Sequence, residues 1–235
     1  MIDIGYMIDK VPVILAAVPR TLAIAAAAMA IGLVCGLVIA VIRLYRVPLL
    51  SQLAVVYISL TRGIPLLVQM YLMFYGLPRL FAGLNAASGT AWLPTEFNPY
   101  VTAILIFSLY TSAYQAETWY AALNSIDYRQ MDAALSIGMT APQGLARIVI
   151  PQAVANAVPN FGNLFIGLVK GTSLTFAIQI VDIMAVAKIQ AGADYRYIEM
   201  YLAVSLVYWV INALLERLFV RIERRFSKYK RLITA

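Results

Sequence analysis

Six polar side chains interrupt long apolar runs, and any chemistry must rest on them. Arg62 and Gln69 lie in one run; Asn163, Lys170, Thr172 and Ser173 form a polar track in another. A charge at the centre of a bilayer costs roughly 2.5–3.5 kcal/mol on insertion scales, so each polar group in such a run is a functional candidate. Arg62 precedes Gly63 and Pro65, which can break a span and free backbone groups to line a cavity. Gln69 follows seven residues later, two helical turns along the same face. An arginine or lysine could meet a carboxylate, and amides and hydroxyls could receive an ammonium. That is recognition chemistry, not bond-making. Two plainer roles stay open beside it: an interfacial Arg62 held by an acid such as Glu117, and a polar track that only hydrogen-bonds helix to helix.

Other chemistries are excluded by what the sequence lacks. Histidine is absent, which removes His-based metal sites, general bases and proton relays. The single cysteine, Cys35, lies inside an apolar run and can form no intramolecular disulfide. GLVKGTS at 167–173 has a glycine and a lysine at the wrong spacing for a phosphate loop. Nucleotide energy, if used, must come from a partner.

The elements that position these residues follow from composition. The chain has 235 residues, 63% hydrophobic and 12% charged, with mean hydropathy +0.82; soluble domains carry about 25% charged residues. An all-α integral membrane fold in one domain, 1–235, is the expectation. The opening MIDIGYMIDKVPVI has two aspartates and no basic segment, so the first apolar run is expected to act as both address and anchor. A span needs about 20 apolar residues, and five windows qualify: about 21–42, 53–81, 99–120, 153–178 and 198–220.

Five spans put the termini on opposite sides. Arg43, Arg46, Arg129, Arg147 and the tail residues Arg217, Arg221, Arg224, Arg225, Lys228, Lys230 and Arg231 fall on one side. Lys10, Arg20, Arg79, Lys188 and Arg196 fall on the other. The richer side is expected to be cytoplasmic, with the N-terminus outside and the C-terminus inside. The net charge of +7 comes largely from the tail, read as an anchor on an anionic leaflet rather than a nucleic-acid site. Gly32-x-x-x-Gly36 would let another helix approach closely, within this chain or from a partner. Tyr195, Tyr197 and Trp209 read as aromatic-belt anchors.

Between the third and fourth windows lies a loop, 121–152, too polar and broken to span. Within it, Met131, Ala134, Leu135 and Gly138 share one helical face, and Gly138 suits a left-handed helix end. Thr140, Pro142 and Gln143 then fit a capping box that starts a second helix carrying Ala141, Leu145, Ile148 and Val149. An apolar patch on such a loop marks either a protein contact or packing on its own bundle.

The spacing of this loop resembles the E-A-A, three residues, Gly, nine residues, I-x-L-P pattern of binding-protein-dependent ABC importer permeases. Here it reads Asp132-Ala133-Ala134, Gly138, then Ile148-Val149-Ile150-Pro151, with Asp132 for Glu and Ile150 for Leu. TRGIPLLVQ at 61–69, SAYQAE at 112–117 and KGTSL at 170–174 are similar to segments of the polar amino-acid branch; Trp119-Tyr120-Ala121 and Arg129 depart from it. The resemblance implies a non-catalytic permease in a bacterial inner membrane. Asp132, Ala133, Ala134, Gly138, Ile148 and Pro151 would then form a coupling surface received by a cytoplasmic ATPase dimer. ATP and magnesium would be held there, and this chain would bind no cofactor. A second permease subunit and an external solute-binding protein would complete the assembly. Some relatives that move cationic amino acids carry an acid about six positions before the lysine of KGTSL, where this chain has Leu164. With no carboxylate in the fourth window, a neutral or zwitterionic amino acid is the expected substrate, cystine favoured. The rival is an autonomous secondary carrier, which would want an inverted repeat that five spans do not make. A membrane enzyme would need a catalytic constellation that is not visible.

Overall fold

The computed structural model describes residues 2–127 and 129–234, with side chains placed as far as Phe226; Lys228, Lys230 and Arg231 of the basic tail lie outside the described side chains. Among the described residues all regular structure is helical. Its centre is the pair α2 (Val18–Leu44) and α6 (Pro99–Asn124), which the small residues of each allow to pack backbone to backbone. A Cβ on Gly32 would overlap Thr111 Oγ1, and one on Gly36 would stand 2.8 Å from Gln115 Cβ and 3.0 Å from the Ala116 nitrogen. The Gly32–Gly36 motif is therefore spent inside this chain. Trp119 Nε1 donates to the Leu33 carbonyl at 3.1 Å across the same contact. Cys35, in the same helix, is exposed on the isolated chain rather than buried.

Among the described residues, three helical runs are long and apolar enough to cross a membrane: Val18–Leu44, Ala141–Ile178 and Tyr197–Phe226; a bent pair makes a fourth. The remaining expected window, 99–120, falls on α6, which has the length but places Thr102, Ser108, Thr111, Ser112 and Gln115 at buried positions. A helix wrapped by its neighbours need not be apolar all round.

The bent pair is α3 (Leu50–Gly63) followed by α4 (Leu66–Tyr71), a π turn (Leu72–Gly76) and α5 (Leu77–Ser88); the two halves meet at 105°. Pro65 has no N–H to give and forces Ile64 into extended backbone (φ −99°, ψ 129°). The carbonyls this frees are satisfied by Gln69, whose Nε2 donates to Thr61 O and Ile64 O, both at 2.8 Å. The expectation that Gln69 shares a face with Arg62 fails for this reason: the break turns the chain between them, and Gln69 staples the corner.

The polar loop contains α7 (Arg129–Ser136), but the second short helix does not stop at Pro151. Helix α8 (Ala141–Gly144), a π turn (Leu145–Val149), α9 (Ile150–Gly171) and a 3₁₀ stretch (Thr172–Ile178) make one run of 38 residues. Pro151 sits in the first turn of α9, and the widened turn before it absorbs the missing hydrogen bond.

Among the described residues, two helices lie outside both the expected windows and the polar loop. One is α10 (Ile183–Asp194), capped by buried Asp182, whose Oδ1 accepts from Ala185 N at 2.8 Å. The other is α1 (Ile4–Leu15), capped by Asp3. It is tied to the corner between α10 and α11 (Tyr197–Thr234) by charge: Lys10–Asp194 at 2.8 Å, Arg196–Asp3 at 2.5 Å, and the Tyr6 hydroxyl donating to Asp194 at 2.7 Å. The Tyr6 N–H and the Arg196 guanidinium hold Asp3 below its ordinary pKa, and Lys10 and the Tyr6 hydroxyl do the same for Asp194. Tyr6 is pushed up to about 12, first by desolvation and then by Asp194. Depressed carboxylates support the folded contact above their ordinary pKa of 3.8 and lose it as pH falls through their lowered values. A spin label at exposed position 8 should therefore keep its mobility between pH 7 and 5 and loosen only below 3.8. Loosening already at pH 5 would mean that these pairs do not hold α1.

Candidate functional site

Two cavities flank Tyr114. One, of about 510 Å³, is lined by Arg43, Ile58, Ser59, Arg62, Gly63 and Glu117 as well as Tyr114. The other, of about 180 Å³, is lined by Leu66, Tyr110, Thr111, Tyr114, Asn163, Leu164, Gly167 and Gly171. The break after Gly63 positions the first group, because it ends α3 beside the middle of α6 and leaves Arg62 exposed there. Glu117 does not hold Arg62. It pairs with Arg43 at 2.6 Å, and the Arg62 guanidinium instead lies 5.2 Å from the centre of the Tyr114 ring. Cation–π attraction of this kind leaves the N–H donors of Arg62 free for an anion.

The expected polar track divides. Asn163, Gly167 and Lys170 are exposed at i, i+4 and i+7 on one face of α9. Thr172 is fully buried and donates to Val169 O at 2.7 Å, and Ser173 is half-buried. The backbone tightens from α to 3₁₀ at Thr172, so the angular step changes and these side chains leave the α9 face. Leu164, half-buried, packs on the core and borders the smaller cavity. Residue types thus sort into a cation on one side of Tyr114 and an amide on the other, with no carboxylate lining the smaller cavity.

Sequence reading missed Tyr110 and Tyr114, whose rings are 4.8 Å apart, and buried Asp182, which receives the Tyr208 hydroxyl at 3.4 Å. The tyrosines sit four apart and face the same way on a helix, a signal that was present. Asp182 stands before an apolar run, an N-cap signature.

On the loop, Met131 and Ala134 turn inward, and a Cβ on Gly144 would meet Met131 Sδ at 2.8 Å. Ala134 is thus packing rather than surface, and of the expected apolar face Leu135 and Gly138 are exposed. Asp132, Ala133, Leu135, Ser136 and Gly138 are exposed, and Ile137 reaches 78%. Ile148 and Pro151 are half-buried. Gly138 has φ +85°, and the bonds Met139 N–Ala134 O (3.1 Å) and Gly138 N–Leu135 O (3.0 Å) form a Schellman end. Gln143 Oε1 accepts from Thr140 N–H at 3.0 Å, which starts the next helix at once.

Residues 32–228 match the family described as binding-protein-dependent transport system inner membrane component. The chain belongs to this family. It is 42% identical over 227 residues to the probable amino-acid permease protein YxeN of Bacillus subtilis, covering 97% of each chain. It is 36% identical to the L-cystine transport system permease protein TcyL of the same organism, over 99% of this chain and 95% of the relative. A solved amino acid ABC transporter superposes with TM-score 0.79 at 29% identity, covering 96% of this chain and 99% of that one. The MetNI methionine transporter superposes with TM-score 0.70 at 19% identity, over 91% and 95% of the two chains, a likeness of fold. The fold is that of a type I ABC importer. Like the permease proteins it matches, this family member is a non-catalytic, multi-pass membrane subunit.

Proposed function

We propose that this chain is the permease of an ATP-driven importer for a polar amino acid that is neutral or zwitterionic, with a cystine-like substrate favoured. The observation that carries the reading is the pair of cavities about Tyr114. Arg62 offers donors to a carboxylate on one side. Asn163 offers dipoles to an ammonium on the other, where no acid lines the wall; Glu117, in the larger cavity, is paired with Arg43. Similarity to the probable amino-acid permease YxeN and the L-cystine permease TcyL supports an amino-acid substrate. Five spans place the N-terminus outside and the C-terminus in the cytoplasm of a bacterium. A solute-binding protein delivers substrate from outside. Two permease subunits form the pathway. A cytoplasmic ATPase pair, carrying ATP and magnesium, receives the surface around Asp132, Ala133, Ile137 and Gly138. Lys170 remains a second donor for a carboxylate, with Ser173 a hydroxyl near it in the chain; Gln69 and Thr172 act by holding backbone carbonyls in shape.

Reconstituted vesicles with the cognate binding protein test this. Neutral amino acids, cystine among them, should compete for uptake, while arginine and lysine should not. An unpaired side-chain charge is costly in low dielectric, and nothing acidic lines the smaller cavity. Leu164→Glu should lower uptake of the native substrate about tenfold or more, because it adds a charge to the cavity wall. Competition by arginine at micromolar levels would overturn the substrate class. Uptake that persists without the ATPase would instead make the chain an autonomous carrier.

A further inference from the structure

At the turn joining α2 to α3 the chain forms a half-open cavity of about 380 Å³ that the transport reading does not use. Arg43, Arg46, Ser51, Gln52 and Tyr120 line it, with Leu49 on its wall. Arg43 is already partnered by Glu117 at 2.6 Å and lies 4.5 Å from the centre of the Tyr120 ring. Arg46 is exposed and enters none of the three ion pairs found among the described residues. The cavity therefore carries one uncompensated positive charge, with hydroxyl and amide groups beside it.

Its backbone is strained in a way that polar solvation does not require. Arg46 has φ +50° and Leu49 φ +64°, ψ −51°; the Leu50 N–H reaches back to Pro48 O at 2.7 Å, closing a γ-turn of the rarer hand. Glycine would take either position at little cost, so an arginine and a leucine there mean that both side chains are wanted. Leu49 is 67% exposed, and Leu50 and Leu53 beside it are exposed as well, a strip of apolar surface that no described residue covers. The cavity sits at the ends of two apolar helices in a chain that is an inner-membrane component. A headgroup lies at that level, and acyl chains lie alongside it.

We infer that this turn is a binding site for an anionic phospholipid, its phosphate held by Arg46 and Arg43 with Ser51 and Gln52, and its acyl chains laid on Leu49, Leu50 and Leu53. A soluble anion would satisfy the arginines but leave the leucines in water, whereas a zwitterionic phospholipid brings a positive group to a cavity that already has one in excess. Basic pockets between spans on the headgroup level are suited to such lipids. The site shares Arg43 with the wall of the larger amino-acid cavity but not Arg46, and its test reads lipid binding at Arg46, not uptake.

The test uses full-length protein in detergent and spin-labelled phosphatidylglycerol, with phosphatidylcholine and inorganic phosphate as comparators. Phosphatidylglycerol should bind about fivefold or more tightly than phosphatidylcholine. Arg46→Gln should remove that preference, and Arg79→Gln, on α5, should leave it intact. Leu49→Gly, which relieves the turn without touching charge, should weaken both lipids alike. Equal binding of the two lipids by the unaltered protein would overturn the proposal. So would a preference that survives Arg46→Gln, or one that Arg79→Gln also removes, since the attraction is then general surface charge. Displacement of the lipid by millimolar phosphate would make it a site for free anions instead.

Discussion

Gly36→Val will lower the thermal midpoint of the purified protein by about 6–12 °C, taking overpacking at about 3 kcal/mol and about 2–4 °C per kcal/mol for a chain of this size. A Cβ at this position would stand 2.8 Å from Gln115 Cβ and 3.0 Å from a backbone nitrogen of α6. Valine adds two methyls to that collision. Side chains can turn away, but the Ala116 nitrogen belongs to a helix and cannot move without moving α6, so the two central helices must separate. Gly83→Ala is the control. It also lies in a helix, nothing stands within 4 Å of its new Cβ, and alanine is the better helix former by about 1 kcal/mol. It should melt at or slightly above the parent temperature. If Gly36→Val melts with the parent, the close approach of α2 and α6 is wrong, and with it the assignment of the Gly32–Gly36 motif to this chain's own core.

Gly138→Val will leave folding nearly intact and abolish coupling. Nothing stands within 4 Å of a Cβ at this position, so no packing opposes the change. The objection is the backbone alone: φ is +85°, and a β-branched residue is a strong outlier there. Strain of about 1–2 kcal/mol is relieved by opening the Schellman end, which swings α7 and its exposed Ile137 away from the start of α8. Binding-protein-stimulated ATP hydrolysis and uptake should each fall at least tenfold, while the melting temperature shifts by only a few degrees. Gly138→Asn should retain most activity, because asparagine tolerates the left-handed region. Equal behaviour of the valine and asparagine variants would falsify the turn-geometry account. Full activity in the valine variant would remove this turn from the coupling surface.

What was legible in the sequence was whatever rests on long apolar runs and on backbone chemistry. Val18–Leu44 encloses the window expected at 21–42, and the left-handed Gly138 followed by a Thr140–Gln143 start lies where the residue types put it. What was not legible depends on neighbours. Helix α1 carries Asp9, Lys10 and a proline, and its position is set by ion pairs with the α10–α11 corner and by Ile14 buried in the core. Helix α10 is too short to announce itself by apolarity. Inside the candidate site, Arg62 and Gln69 could be read as one face only on a straight helix, and a 105° bend removes that premise. Thr172 could be joined to Asn163 and Lys170 only if the α-helical step persisted, and it does not. Glu117 was the nearest acid by inspection for Arg62, but Arg43 reaches it from α2. In each case the direction of a side chain is set by something a straight-helix reading does not contain: the bend at Pro65, the 3₁₀ step at Thr172, or Arg43 reaching Glu117 from α2.

The helical run Ala141–Ile178 has a mechanical consequence. It is a single rod from the surface that begins at the Thr140 cap to the wall of the smaller cavity at Asn163 and Leu164. Those points are separated by about 33 Å at 1.5 Å of rise per residue. A tilt of about 10° about the cavity end would carry the outer end through roughly 6 Å, a displacement of the size of one helical turn. Small rotations beside the substrate and large excursions at the loop are then the same motion, geared by length. The π turn at Leu145–Val149, and Pro159 inside α9, which removes one hydrogen bond of the ladder, are where such a gear would lose stiffness.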